Sequence, residues 1–187
     1  NNKNRGKKPN AGGDLTPVGG PNPREANLYG QIVRWMPEAG DHLSNAFTWD
    51  LFVMAGNPTV HEDANAGSSN VNADNMFNSP DGLAFDDNGL LWIQTDGNYS
   101  NAERFAGQGN NQMLVGDPAS GDIRRFLVGP RECEITGITW SPDRRTVFVG
   151  VQHPGERGDS HFPDGGRTVP RSSVIAITRE DGGRVGV

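Results

Sequence analysis

The chain has 187 residues with 33% hydrophobic content, 26 Gly, 13 Pro and a net charge of −6. That acidic balance excludes a nucleic-acid binder built on a basic stripe. No apolar run approaches the length of about 18 residues that a membrane-spanning helix needs. The apolar share lies below the roughly 45–50% (Gly included) of ordinary domains, which leaves either disorder or a turn-rich all-β fold. All four Trp fall in short apolar runs bounded by turn residues, which favours the β fold. A single cysteine, Cys133, rules out an intrachain disulfide and fits a buried small hydrophobe better than a nucleophile, since no His is near it in sequence.

The chain opens Asn1-Asn2-Lys3-Asn4 with no initiator Met, which reads as an internal start. Residues 1–26 are polar, carry Lys3, Arg5, Lys7 and Lys8, and are expected to form an extended loop with no core of their own. From there the apolar runs predict strands at Tyr29–Trp35, Phe47–Met54, Gly82–Phe85, Leu90–Gln94, Gln112–Val115, Ile123–Val128, Ile135–Trp140, Thr146–Val151 and Ser173–Thr178. Several alternate with period 2, as in Val147/Val149/Val151, and none shows a helical stripe.

The spacing of these runs repeats. Gly82-Leu83-Ala84-Phe85, an Asp/Asn turn and Leu90-Leu91-Trp92-Ile93 recur as Gly137-Ile138-Thr139-Trp140, a turn at Asp143 and Thr146-Val147-Phe148-Val149. A second hairpin type appears three times, at Ile32–Asp41, Met113–Asp122 and Val174–Gly183, each with a Gly able to supply the positive φ of a short turn. Two alternating hairpins make a four-stranded unit, and radial repetition of such units gives a β-propeller. The expected fold is therefore all-β: a partial β-propeller of four-stranded antiparallel blades, with residues 27–187 forming two to three blades of a larger propeller. A β-sandwich is the alternative.

Three stretches place polar groups where strands enter or leave the propeller channel: Asn78-Ser79-Pro80-Asp81-Gly82, Thr95-Asp96-Gly97-Asn98 and Arg131-Glu132-Cys133-Glu134-Ile135-Thr136-Gly137. Hard oxygens converging there suit Ca²⁺, which takes six to eight oxygen ligands. Asp81 and Asp96, each before a Gly, also fit ordinary turn residues. Glu134, between Cys133 and an apolar strand, fits a turn less well. Asp86, Asp87, Asn88 and Asp143 read as hairpin turns. His153, at a strand end, suits either an anion contact or a structural hydrogen bond. Arg131 suits bidentate phosphate binding or a surface role. His42, His61 and His161 match no zinc spacing.

These blocks resemble the PhoX-type, calcium-dependent alkaline phosphatases. The resemblance runs through Asn78–Asp86, Gly89–Gly97, Cys133–Gly137 and Phe148–Glu156, with further counterparts at Asn27–Ile32 and Phe47–Phe52, in the family's order. It implies a periplasmic or secreted phosphomonoesterase with Ca²⁺ and Fe³⁺ in the channel and a small phosphoester as substrate. Carried over residue by residue, Glu134 and Asp81 become metal ligands, followed by Asn78 and Asp96; Arg131 and His153, read from the residues themselves, are the candidates for substrate contact. The family's thiolate-bearing block and its Gly-Arg-Phe block precede anything in this sequence, and Cys133 is not that cysteine. The chain is thus expected to lack a complete catalytic centre and to need another fragment or copy to close the propeller. Calcium-dependent gluconolactonases, which share a Ser-Pro-Asp-Gly-Leu-like blade entry, are the enzymatic alternative, and a non-catalytic binding propeller is the other.

Overall fold

The structure is a computed structural model that describes residues 18–25, 27–97 and 99–186. Nine strands follow in order: β1 (Gln31–Pro37), β2 (Phe47–Met54), β3 (Pro80–Phe85), β4 (Leu91–Thr95), β5 (Gln112–Gly116), β6 (Ile123–Val128), β7 (Glu134–Trp140), β8 (Thr146–Gln152) and β9 (Ser173–Thr178). Each falls within one or two residues of its predicted position. All pairings between them are antiparallel. They form a two-stranded sheet β1-β2, a four-stranded sheet β3-β4-β5-β6 and a three-stranded sheet β7-β8-β9. This is a partial β-propeller, one four-stranded blade flanked by two shorter ones.

Alternation along β4 shows how the blades stack. Leu91 and Ile93 join a core with Tyr29, Phe52, Val53 and Phe77, on the side of the first sheet. Trp92 points the other way, into a second core with Ile135, Val147 and Val149 of the third sheet. Successive side chains of a strand leave opposite faces, so a strand covered on both faces must be apolar throughout. Trp92 is fully buried and meets the Trp140 ring edge-on at 5.9 Å.

The segment before β1 is more fixed than its composition suggests. Residues 1–17, most of the expected loop, lie outside the described residues. Arg24 is 4% exposed, and its guanidinium donates to the carbonyls of Ala55 at 2.7 Å and Gly30 at 2.6 Å. Burial pulls its pKa down to about 10. Arg24 thereby docks this stretch onto the rest of the fold. The guanidinium adds a second hydrogen bond to the Gly30 carbonyl, which already accepts from the Ala55 N–H, and so ties the segment to the ends of β1 and β2.

The β3–β4 turn is braced by Asp86. Its carboxylate accepts from the backbone N–H of Asn88 and Leu90 and from the Trp92 indole at 3.0 Å. Turn and core are thereby tied through one side chain. Asp143, in the matching turn, accepts only local bonds from Ser141 and Arg145 and is exposed. Asp86→Ala strands the buried indole N–H and is expected to cost about 2–3 kcal/mol. Asp143→Ala should shift the urea midpoint far less, and equal shifts would show that the Trp92 bond is unimportant.

Candidate metal-binding site

Three carboxylates converge where the second and third sheets meet. Asp81 is the second residue of β3, Asp96 follows β4 and Glu134 opens β7. Each offers an oxygen within 4.8 Å of the other two, the one such group among the described residues. Asp81 is exposed, Asp96 is partly covered and Glu134 is 8% exposed.

Local irregularities aim these groups. The β3–β4 register shifts between Pro80 and Leu83, and the β7–β8 register shifts between Thr136 and Ile138. Bulges of this kind redirect side chains at the ends of sheets. Gly137 sits in its bulge with φ +59°. Gln94, 2% exposed, joins the two bulges: its amide donates to the Gly137 carbonyl at 2.9 Å. A Cβ on Gly82 would stand 2.6 Å from the Gln94 Oε1. The glycines of the repeat thus leave room for the amide that spaces β3 and β4 from β7.

Asn111 ties the Asp96 loop to the entry of β7. Its Oδ1 accepts from the Thr95 hydroxyl at 3.0 Å and the Gly97 N–H at 2.7 Å, on either side of Asp96. Its amide donates to the Cys133 carbonyl at 2.9 Å, next to Glu134. Gln152, paired with Glu134 across β7 and β8, donates to its Oε2 at 2.6 Å. The His153 Nε2 lies 3.6 Å from the same oxygen, and its Nδ1 is 3.4 Å from the Tyr99 hydroxyl. Backbone strain marks the surroundings, with positive φ at Ser79 and His153.

The six candidates named from sequence are placed as follows. Asp81, Asp96 and Glu134 come together, and His153 stands beside Glu134. Asn78 is buried and faces inward, donating to Gln108 at 2.7 Å and accepting from the Ser79 hydroxyl. Arg131 pairs with the exposed Asp159 at 2.5 Å. That pair borders a hollow of about 440 Å³ also lined by Tyr99, Asn110 and Glu132. Asn98 lies outside the described residues. Gln94, Asn111 and Gln152 were not singled out in sequence. Each lies at or beside a strand end, but only Gln94 stands within two residues of a candidate acid in the sequence.

Burial, then the charges of Asp96 and Asp81, raise the pKa of Glu134 above the usual carboxylate value. Ionisation is thus disfavoured in the fold. Without a cation, stability is full below the usual carboxylate range and falls as pH rises through the raised pKa. A divalent ion held there would offset that cost. The donor set is all oxygen, which fits a hard cation.

Cys133 belongs to the core and not to the carboxylate group. It is fully buried, accepts a weak bond from Asn110, and burial pushes its thiol up to about 12.

Comparison with known proteins bears directly on this site. The profile of the family described as Alkaline phosphatase PhoX matches residues 1–155. The chain belongs to the PhoX alkaline phosphatase family. A solved structure, Pseudomonas fluorescens PhoX in complex with vanadate, a transition state analogue, is 62% identical with a TM-score of 0.91. The match covers 98% of this chain and 32% of that one, so the chain spans about a third of the PhoX polypeptide it resembles. No curated protein matches. The lactonase reading gives way to the PhoX family, whose blocks the sequence already carried in order.

Two outcomes are expected. A Cβ at position 97 would overlap the Asn78 Oδ1, so Gly97→Ala should destabilise by about 1–3 kcal/mol. Asn78→Ala should recover part of that loss in the double variant, and strict additivity in urea melts would show that the two do not press on each other. The Cys133 thiol, neutral at pH 8 and enclosed, should react with a maleimide only on unfolding. Fast labelling of the folded chain would contradict that placement.

Proposed function

We propose that this chain forms one wall of the metal centre of a phosphomonoesterase, with Asp81, Asp96 and Glu134 as ligands to a calcium ion. The single observation behind this is the convergence of three carboxylates within 4.8 Å at adjoining blade ends. Calcium takes six to eight oxygens, so three carboxylates leave positions for water, substrate or donors from the remaining two-thirds of a PhoX chain. The iron of the family reading draws its thiolate from elsewhere, since Cys133 is enclosed in the core. A periplasmic or extracellular location is carried over from the family as part of the same proposal. No helix among the described residues is long and apolar enough to cross a membrane.

When bound, the metal supplies polarisation of the phosphoryl oxygens and offsets charge that builds in the transition state. The chain's own residues do the positioning. Gln152 fixes the Glu134 carboxylate by a hydrogen bond to one of its oxygens, and Glu134 would hold the ion in that orientation. Gln94 and Asn111 hold the spacing between the two acid-bearing blades. His153, between Glu134 and Tyr99, would donate toward a phosphoryl oxygen in this reading by exchanging one of those two contacts. Arg131 would reach an anion by exchanging Asp159 for phosphate oxygens, a swap that costs little because the pair is exposed. Asn78, held by Gln108, supports the Gly97 turn in this reading and stands outside the three proposed ligands.

Calcium at 100 times its Kd should stabilise the chain by about 2.7 kcal/mol, several degrees in melting temperature. Glu134→Gln should raise the melting temperature in chelator at pH 8 and abolish most of the calcium effect. In the complete protein that carries this chain, the same change should lower p-nitrophenyl phosphate hydrolysis by at least about 100-fold. Undiminished hydrolysis in Glu134→Gln, or chelator-resistant activity, would overturn the assignment.

A further inference from the structure

His153 follows β8 directly and is held at both backbone and ring. Its φ is +38°, and its N–H donates to the Ser172 hydroxyl at 2.9 Å. A backbone of this kind persists only where its neighbours fix it. The ring stands between two oxygens. Nε2 is 3.6 Å from the Glu134 Oε2, and Nδ1 is 3.4 Å from the Tyr99 hydroxyl. One nitrogen thus looks toward the carboxylate group and the other toward the loop after β4.

Tyr99 is itself clasped. Its hydroxyl donates to the Glu156 Oε2 at 2.7 Å, and the Arg157 guanidinium lies 4.9 Å over its ring. The Arg157 and Asp159 N–H groups both donate to the Glu132 Oε2, at 2.7 and 3.1 Å. The loop after β8 is thereby fastened to the loop before β7, with Tyr99 between Glu156 and Arg157. Burial, then the bond to Glu156, raise the Tyr99 pKa well above the ordinary phenol value, so the hydroxyl keeps its proton.

These partners decide which ring nitrogen carries hydrogen. A phenol has one hydrogen to give, and a carboxylate only accepts. With that hydrogen on Glu156, the Tyr99 oxygen is left to accept from the ring. Nδ1 is therefore the donor, an assignment made from the bonding partners. In a neutral imidazole the other nitrogen then holds a lone pair. That nitrogen is Nε2, on the Glu134 side.

We propose that Tyr99, oriented by Glu156, is a positioning residue that keeps the hydrogen of His153 on Nδ1 and turns Nε2 toward the carboxylate group. The bond made by one imidazole nitrogen sets what the other can do. Resting on the phosphatase reading above, this selects the contact that His153 exchanges. The contact with Glu134 is given up for a phosphoryl oxygen, and the one with Tyr99 is kept. Any hydrogen bond from His153 to phosphate then comes from Nε2 of the doubly protonated ring. Tyr99 touches neither metal nor phosphate and acts through that ring.

The tautomer is measured without reference to activity. In the ¹⁵N-labelled 187-residue chain, in chelator at pH 9, long-range ¹H–¹⁵N spectra separate protonated from bare ring nitrogens, and His153→Gln identifies the His153 signals. The unaltered chain is expected to show Nδ1 protonated. Tyr99→Phe keeps the aromatic ring and removes the accepting oxygen, so the hydrogen should move toward Nε2. Glu156→Ala releases the Tyr99 hydrogen to turn toward Nδ1 and should do the same. A bare Nδ1 in the unaltered chain, or either variant keeping the unaltered pattern, overturns the proposal. In the complete protein that carries this chain, Tyr99→Phe should lower kcat for p-nitrophenyl phosphate about 10–100-fold with KM little changed. An unchanged kcat overturns the link to hydrolysis. Failure of the calcium assignment shows instead in Glu134→Gln, whatever the His153 spectra give.

Discussion

One buried amide, that of Gln94, fixes the spacing on which the carboxylate group depends. It reaches from β4 to the carbonyl of Gly137 in the bulge of β7, and it passes over Gly82 in the bulge of β3 at a distance that admits no side chain. The two bulges are therefore one structure shared by two blades. Asp81 lies in the first bulge beside Gly82, Asp96 follows the strand that carries Gln94, and Glu134 precedes the second. A shift of either blade relative to the other would break the Gln94 bond and separate the acids together.

Neutral amides recur around the acids for a physical reason. A buried charge needs a partner, and a fixed arginine or lysine would neutralise the carboxylates and compete with an incoming cation. An amide both donates and accepts, so it can order a loop and a carboxylate without cancelling their charge. Asn111 accepts on both sides of Asp96 and donates beside Glu134. Gln152 orders a Glu134 oxygen, and Gln108 orders Asn78. Guanidinium groups in the described structure serve elsewhere: Arg24 on carbonyls under β1, and Arg144 and Arg184 on Asp87.

The strands were legible because their signal is collective. Period-2 alternation and a unit recurring at 82 and 137 marked every strand to within two residues, and the same alignment identified Leu83 and Phe85 as counterparts of Ile138 and Trp140. The acids Asp81, Asp96 and Glu134 were legible as a set, since all fall at strand ends on one side of the sheets. Their framing amides were not. Asn and Gln are common in loops, and nothing in the order Asn110-Asn111-Gln112 says which side chain turns inward. Arg24 was hidden by its setting, a polar stretch in which a cation looks solvated. Asn78 was read for its oxygen, whereas its neighbours Gln108 and Gly97 determine where that oxygen points.

The opposite end of β3 adds a further constraint. Asp87, in the turn after β3, receives Arg144 at 3.2 Å and Arg184 at 2.9 Å, both from the third-sheet side of the molecule. The wedge between the two blades is thus pinned at both ends of the strand, by an uncharged bridge near the acids and by an ionic one far from them. Its angle sets the aperture that Asp81 and Asp96 make with Glu134. In the proposed calcium site, the fit to an ion's radius would follow from that blade pitch. A substitution in the distant Asp87 turn, touching no carboxylate of the group, acts on that aperture through the lever of a single strand.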